Sequence, residues 1–172
     1  MKIIVYTLVG LSLCLSSGCS WIARKSYKES VGAQSECHVI TIPPSGGLRG
    51  YGGYELAPVR SDLGGQVGGS FRTALPISLR AALNNKKEPV FTGNGPKLTI
   101  EPCVTFFMMK GGLKQLIGMD SYAACVFFLR EGKREVARVE VVSRSGANHT
   151  DQADLARDMA NALADFLRGR QD

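Results

Sequence analysis

The chain has 172 residues, 44% of them apolar, 5 cysteines and a formal net charge of +6. That length fits one domain able to bury a real core. Its basic residues are scattered from Arg24 to Arg170, whereas a nucleic-acid binder gathers them on one face, so they read as solvated surface with mild attraction to anionic lipid headgroups.

Lys2 supplies a positive start and Ile3 to Leu15 an uncharged, mostly apolar run. A transmembrane helix needs roughly 20 apolar residues, so this run reads as a secretion signal. Leu15-Ser16-Ser17-Gly18-Cys19 closes it. Gly18 is the small residue needed before a cleavage site, and Cys19 supplies a thiol for diacylglycerol. The sequence resembles a bacterial lipoprotein lipobox, with Ser16 where Leu is usual. Ordinary cleavage near Gly18 and an uncleaved anchor are the competing readings. Three acyl chains on Cys19 would anchor the chain through its N-terminus. Ser20 stands where Asp would retain a lipoprotein in the inner membrane, and by the same resemblance the address is the outer membrane, lipid-anchored, on its periplasmic face.

The expected organisation is a signal over 1–18, a lipidated tether over 19–36 and a periplasmic domain over 37–172. Trp21 sits close enough to the anchor to rest among headgroups. His38 to Ile42 reads as a first strand ended by Pro43-Pro44. Residues 45–69 are dense in glycine and read as a loop. They contain neither GxxxxGK[ST] nor GxGxxG, so no phosphate cradle is expected. Tyr51 and Tyr54 stand among these glycines, either lining a groove or simply exposed.

Phe71, Leu75, Leu79 and Leu83 recur at spacing four and predict a helix that either starts near Pro76 or kinks there. Pro89 to Thr92 predicts a short strand. Three longer strands follow over Lys97–Met109, Tyr122–Arg130 and Glu135–Ser143, the last two joined by a tight turn at Glu131-Gly132-Lys133. Glu135 to Val141 alternates cleanly, placing one face of that strand in water. Thr150 reads as the N-cap of a last helix. Leu155, Met159, Leu163, Phe166 and Leu167 form its buried stripe, Arg157, Asp158, Asn161 and Asp165 its other side, and Arg168 with Gly169 its end. The fold class is α/β (α+β): one domain, a mixed sheet ending in a three-stranded antiparallel meander, and two helices packed on it.

From about Leu75 onward the chain resembles a family of small bacterial outer-membrane lipoproteins of unknown function. The likeness lies in Leu79-Arg80-Ala81-Ala82-Leu83, Leu98-Thr99-Ile100-Glu101, Ala137-Arg138-Val139 and the run from Ala156 to Leu167. That domain is similar to those of the curli-secretion lipoprotein and the N-terminal part of the Tol-system propeller protein. These are mostly packing positions, so the resemblance implies fold and address and carries no catalytic residue.

Cys37, Cys103 and Cys125 remain after the signal and anchor are set aside. Cys103 and Cys125 fall almost symmetrically about a connection near Lys114, which suggests a bridge across a hairpin. Cys37 paired with either of them, and three unbridged apolar thiols, are the alternatives. His38 and His149 lie far apart and no CxxC or HxxxH spacing occurs, so neither a metal site nor a cofactor is expected. No GxSxG is present. A Cys–His nucleophile, Cys103 or Cys125 with His149, would need a free thiolate beside the imidazole. Asp62, Glu101 and Asp120 are carboxylates whose proximity spacing does not fix.

The most distinctive candidate surface is Phe106, Phe107, Met108 and Met109, followed by Leu113, Leu116 and Ile117. Hairpin connections normally have two to five polar residues; this one is long, apolar and methionine-bearing. Projecting from the sheet, it would contact a protein or lipid; otherwise it tucks beneath the helices. The leading reading is a non-enzymatic accessory that docks another envelope protein. The alternative is a carrier or sensor holding a lipid or other apolar ligand between helices and sheet.

Overall fold

The computed structural model describes residues 33–41, 48, 50–91, 93–109, 120–145 and 151–169. The expected signal, Cys19, Trp21 and most of the tether lie outside the described residues, as do Leu113, Leu116, Ile117 and His149.

Among the described residues a six-stranded mixed sheet carries two helices. In chain order the elements are β1 (Ala33–Thr41), β2 (Gly53–Leu56), β3 (Arg60–Ser61), α1 (Gly69–Leu83), β4 (Lys97–Met108), β5 (Ser121–Glu131), β6 (Arg134–Ser145) and α2 (Gln152–Leu167). The strand order is β1-β6-β5-β4, with β2 and β3 sharing the far edge of β4. β2 and β3 run parallel to β4 and every other pairing is antiparallel. A parallel return needs a long crossover, and α1 lies within the one between β2 and β4. The α+β single domain expected from the order of elements is therefore present.

The core is one cluster. The α1 stripe Phe71, Leu75, Leu79 and Leu83 and the α2 stripe Leu155, Met159, Leu163, Phe166 and Leu167 are all buried. They meet one face of the sheet, built from Leu98, Ile100 and Val104 on β4, Cys125, Phe127 and Leu129 on β5, and Ala137, Val139 and Val141 on β6. These side chains fill the layer between helices and sheet.

Several local expectations change. β1 begins at Ala33, and residues 33–36, read as tether, pair with Ser145 back to Val142. The glycine-rich segment is not simply loop: it holds β2, β3 and a 3-10 turn at Gly64–Gln66. Its glycines allow a close backbone crossing, where the Gly52 N–H donates to the Pro96 carbonyl at 3.0 Å and the Gly93 N–H to the Gly52 carbonyl at 2.8 Å. A Cβ on Gly52 would meet the Asn94 backbone. Gly95 has φ +120° and faces the Gly50 carbonyl. Gly95→Ala is therefore expected to cost about 3 kcal/mol through strain and collision together. A urea midpoint unchanged from wild type would contradict that.

Tyr51 is buried, its hydroxyl 3.4 Å from Glu131 Oε2, and Tyr54 stacks on Phe91 at 5.4 Å between centroids. Phe91 is thus held by an aromatic contact in an irregular stretch, since residues 89–91 form no strand. β2 and β3 already occupy the sheet edge beside β4. Pro102 sits within β4 between their pairing zones, which end at Ile100 and resume at Cys103. The Ile100 and Val104 carbonyls accept from Ala57 and Asp62 on that side. By the alternation of a strand, the missing Pro102 N–H falls toward the gap, where no ladder bond is lost.

Pro76 lies inside α1, which starts at Gly69 and runs through it. The free N-terminus of α1 receives help from the other helix, as Phe71 N–H donates to Gln152 Oε1 at 3.0 Å. The N-cap of α2 is Asp151 rather than Thr150. Its carboxylate accepts from Asp154 N–H at 2.8 Å while the Asp154 carboxylate accepts from Asp151 N–H at 3.3 Å, a reciprocal capping box. At the other end Arg168, only 11% exposed, ties α2 to α1 and the following turn, donating to the Ala82 carbonyl at 3.0 Å and the Glu88 carbonyl at 3.1 Å and pairing with Asp165 at 2.7 Å.

The polar side of α2 is not wholly in water, because β1 extends the sheet beneath it. Cys37 feels the charge of Asp165, and Asp158 lies beside Ser35. Burial holds the Asp158 carboxyl above its ordinary value of 3.8. The folded state thus binds this proton more readily than the unfolded chain, so its contribution favours folding at low pH and is lost as pH rises through the folded-state pKa. Asp158→Asn is expected to raise the melting temperature at pH 7 and to leave it unchanged below pH 3.8. A lower melting temperature at pH 7 would contradict this.

Candidate functional site: the open face of the sheet

Both helices cover one face of the sheet, and the pleat decides what the other face presents. On β4 the even-numbered residues Leu98, Ile100 and Val104 point to the core. A register shift between Val104 and Phe106 then inserts Thr105 as an extra residue and inverts the alternation. Beyond the bulge Phe107 turns inward, its ring 5.2 Å from Phe71, while Phe106 and Met108 turn outward. Phe106 is 48% exposed and Met108 half-buried.

Cross-strand rows give the composition of this open face. One row reads Gln34, Arg144, Tyr122, Met108 and the next Glu36, Val142, Ala124, Phe106. The third is His38, Glu140, Val126, Cys103, and the fourth includes Arg138, Phe128, Glu101. The face therefore has two ends. Toward the start of β5, Phe106, Met108, Tyr122, Val126 and Val142 form an apolar patch outside the core cluster, around a buried Ala124. Toward the β5–β6 turn, charge dominates and is internally matched.

At the charged end the Phe128 ring is surrounded by guanidinium groups, with Arg138 at 4.8 Å, Arg130 at 5.9 Å and Arg60 at 6.0 Å from its centroid. Glu101 pairs with Arg60 at 3.4 Å and Arg130 at 3.3 Å, and Glu135 holds Arg138 through both oxygens at 3.0 Å. Rim pairs of this kind fix orientation and repel wrong partners more than they add affinity.

The sequence candidates divide across the sheet. Phe106 and Met108 belong to the open face, whereas Phe107 and Met109 pack against the core. Sequence reasoning did not single out Tyr122, Val126, Phe128 or Val142. For the three on β5 the signal was the unbroken apolar run from Tyr122 to Leu129, the pattern of a strand covered on both faces. The two described helices cover only one.

Cys37, Cys103 and Cys125 are free thiols. Cys103 lies opposite Val126 and Cys125 opposite Val104, so the two cysteines point to opposite faces and the hairpin bridge suggested by symmetry does not form. Cys37 shares the core face with Cys125, but Val141 on β6 stands between them. Burial raises all three thiols, Cys37 to about 11; nearby Asp165 adds to the effect at Cys37 and Asp62 at Cys103. This is the reverse of an activated nucleophile. Glu101 is held by two arginines, Asp120 lies 3.5 Å from the Tyr122 hydroxyl, and His38 is an exposed residue of the edge strand 4.0 Å from Glu36. Among the described residues no cluster of His, Cys, Asp and Glu able to hold a metal occurs.

No protein-family model and no curated protein matches the chain. Among solved structures it is similar to a single-site variant of the PelC dodecamer of Paraburkholderia phytofirmans, at 14% identity and a TM-score of 0.50. That match covers 80% of this chain and 100% of the other. A second structure of the PelC dodecamer from the same organism has the same coverage, 12% identity and a TM-score of 0.46. The likeness to PelC is one of fold.

Proposed function

We propose that the protein is a non-enzymatic accessory of the bacterial envelope, lipidated at Cys19, held on the periplasmic face of the outer membrane, and docking protein partners through the open face of its sheet. The observation that carries this reading is the outward turn of Phe106 and Met108 at the Thr105 bulge, which joins the exposed Phe106 to half-buried Met108, Tyr122, Val126 and Val142 in one apolar patch on the face that neither described helix covers. Apolar surface of this kind, rimmed by charge, marks a contact site. PelC, whose fold is similar, occurs as a dodecamer, and self-assembly is the form of docking we extend to this chain.

Sedimentation of the full chain in mild detergent tests the proposal. Particles several times the mass of one chain, growing with concentration, are the expected result. A monomer at every concentration would remove self-assembly from the proposal.

A further inference from the structure

Between β2 and β3 the chain leaves β4 at Leu56 and rejoins it at Arg60, and the intervening residues bow away from the gap at Pro102. A cleft of about 320 Å³ opens between this bow and α1, with Leu56, Pro58, Val59 and Pro76 as apolar walls and Arg72 and Arg80 at its rim. It lies outside the helix–sheet core and is not part of the open face.

The two arginines differ from the rest. Every other described arginine, from Arg60 to Arg168, lies within 4.0 Å of a carboxylate. Among the described residues Arg72 and Arg80 have no such partner, and both are exposed. Arg72, Pro76 and Arg80 follow each other at spacing four and share one side of α1. Pro76 has no N–H to give the Arg72 carbonyl.

We propose that this cleft receives an extended acidic segment of a partner protein, with two carboxylates four residues apart and an apolar side chain midway. The spacing carries the argument. Eight helical residues separate Arg72 and Arg80 by about 12 Å along the axis. In an extended chain, residues i and i+4 lie about 13 Å apart on one face, with i+2 between them on that face. The two acids then reach the guanidinium forks while the central side chain enters the apolar cleft beside Pro76. A single phosphate or lipid headgroup would engage one fork and leave the apolar walls wet. A volume at the low end of ligand pockets suits one side chain and its flanking backbone better than an acyl chain. The proposal stands independently of docking on the open face, because the residues of the two sites do not overlap.

The test is fluorescence anisotropy with the full chain in neutral detergent at low salt and a labelled peptide Asp-Ser-Leu-Ser-Asp. Saturable binding is expected, weakened about fivefold by Arg72→Gln and by Arg80→Gln, and lost with the peptide Asn-Ser-Leu-Ser-Asn. Replacing the central Leu by Ser should also weaken binding. Both arginines are exposed, so the variants should melt as wild type does, which separates loss of binding from loss of folding. Equal binding of the neutral peptide, indifference to both substitutions, or no binding at millimolar peptide would overturn the proposal. So would vesicles of anionic phosphatidylglycerol engaging Arg72 and Arg80 where the peptide does not, since that would make the cleft a headgroup site.

Discussion

Replacing Phe127 by alanine should cost the fold about 3–5 kcal/mol. Phe127 is fully buried on the core face of β5, the strand flanked by β4 and β6, opposite Pro102 on one side and Val139 on the other. Both helices pack above this face, so the cavity left behind cannot collapse without moving several elements. Removing a buried phenylalanine side chain costs about 3–5 kcal/mol. Domains of this size have roughly 5–15 kcal/mol in total, so the variant would lose from about a fifth to all of its stability. Phe127→Leu keeps most of the volume and should cost about 1.5 kcal/mol or less. Urea unfolding of the two variants checks the pair; equal midpoints would mean that this part of the core is looser than the sheet register implies.

The second large effect is on assembly. Phe106→Lys should weaken partner binding by about 30- to 1000-fold, the range for losing a central aromatic anchor worth roughly 2–4 kcal/mol. Folding stability should change by no more than about 1 kcal/mol, because Phe106 is 48% exposed and lies at the end of β4, where a lysine is tolerated. The neighbouring Phe107 gives the contrasting control. Its ring packs on Phe71, so Phe107→Lys should destabilise the fold itself. If Phe106→Lys leaves assembly intact while Phe107→Lys unfolds the chain, the open face is not the contact surface.

Local periodicity made much of this fold legible. The stripes of α1 and α2, the tight β5–β6 turn and the alternation of β6 depend on neighbours within one element, and all appear as expected. What escaped was non-local. β2 and β3 are short, glycine-rich and held by parallel pairing with a strand reached only after α1, so no local pattern announces them. The sequence puts Asp158 and Asp165 on a polar helix side, which holds for α2 alone. The longer β1, starting at Ala33, brings sheet beneath them. The cysteine pairing shows how small a shift decides chemistry. Counting symmetrically about Lys114 sets Cys103 against Cys125, but the register sets it against Val126, and one residue of offset reverses the face of a strand residue. The bulge at Thr105 then decides that Phe106 and Met108, rather than Phe107 and Met109, face outward. Sequence located the apolar segment and could not sort its two faces.

A photoreactive residue at position 106 in living cells tests the docking surface most directly, with Ile77 as the comparison. Ile77 is 60% exposed on α1, more open to solvent than Phe106 yet away from the open face. Docking through the sheet predicts discrete protein adducts from position 106, in the outer-membrane fraction, that do not form from position 77. Lipid adducts alone from position 106, or the same weak adducts from both positions, would contradict it.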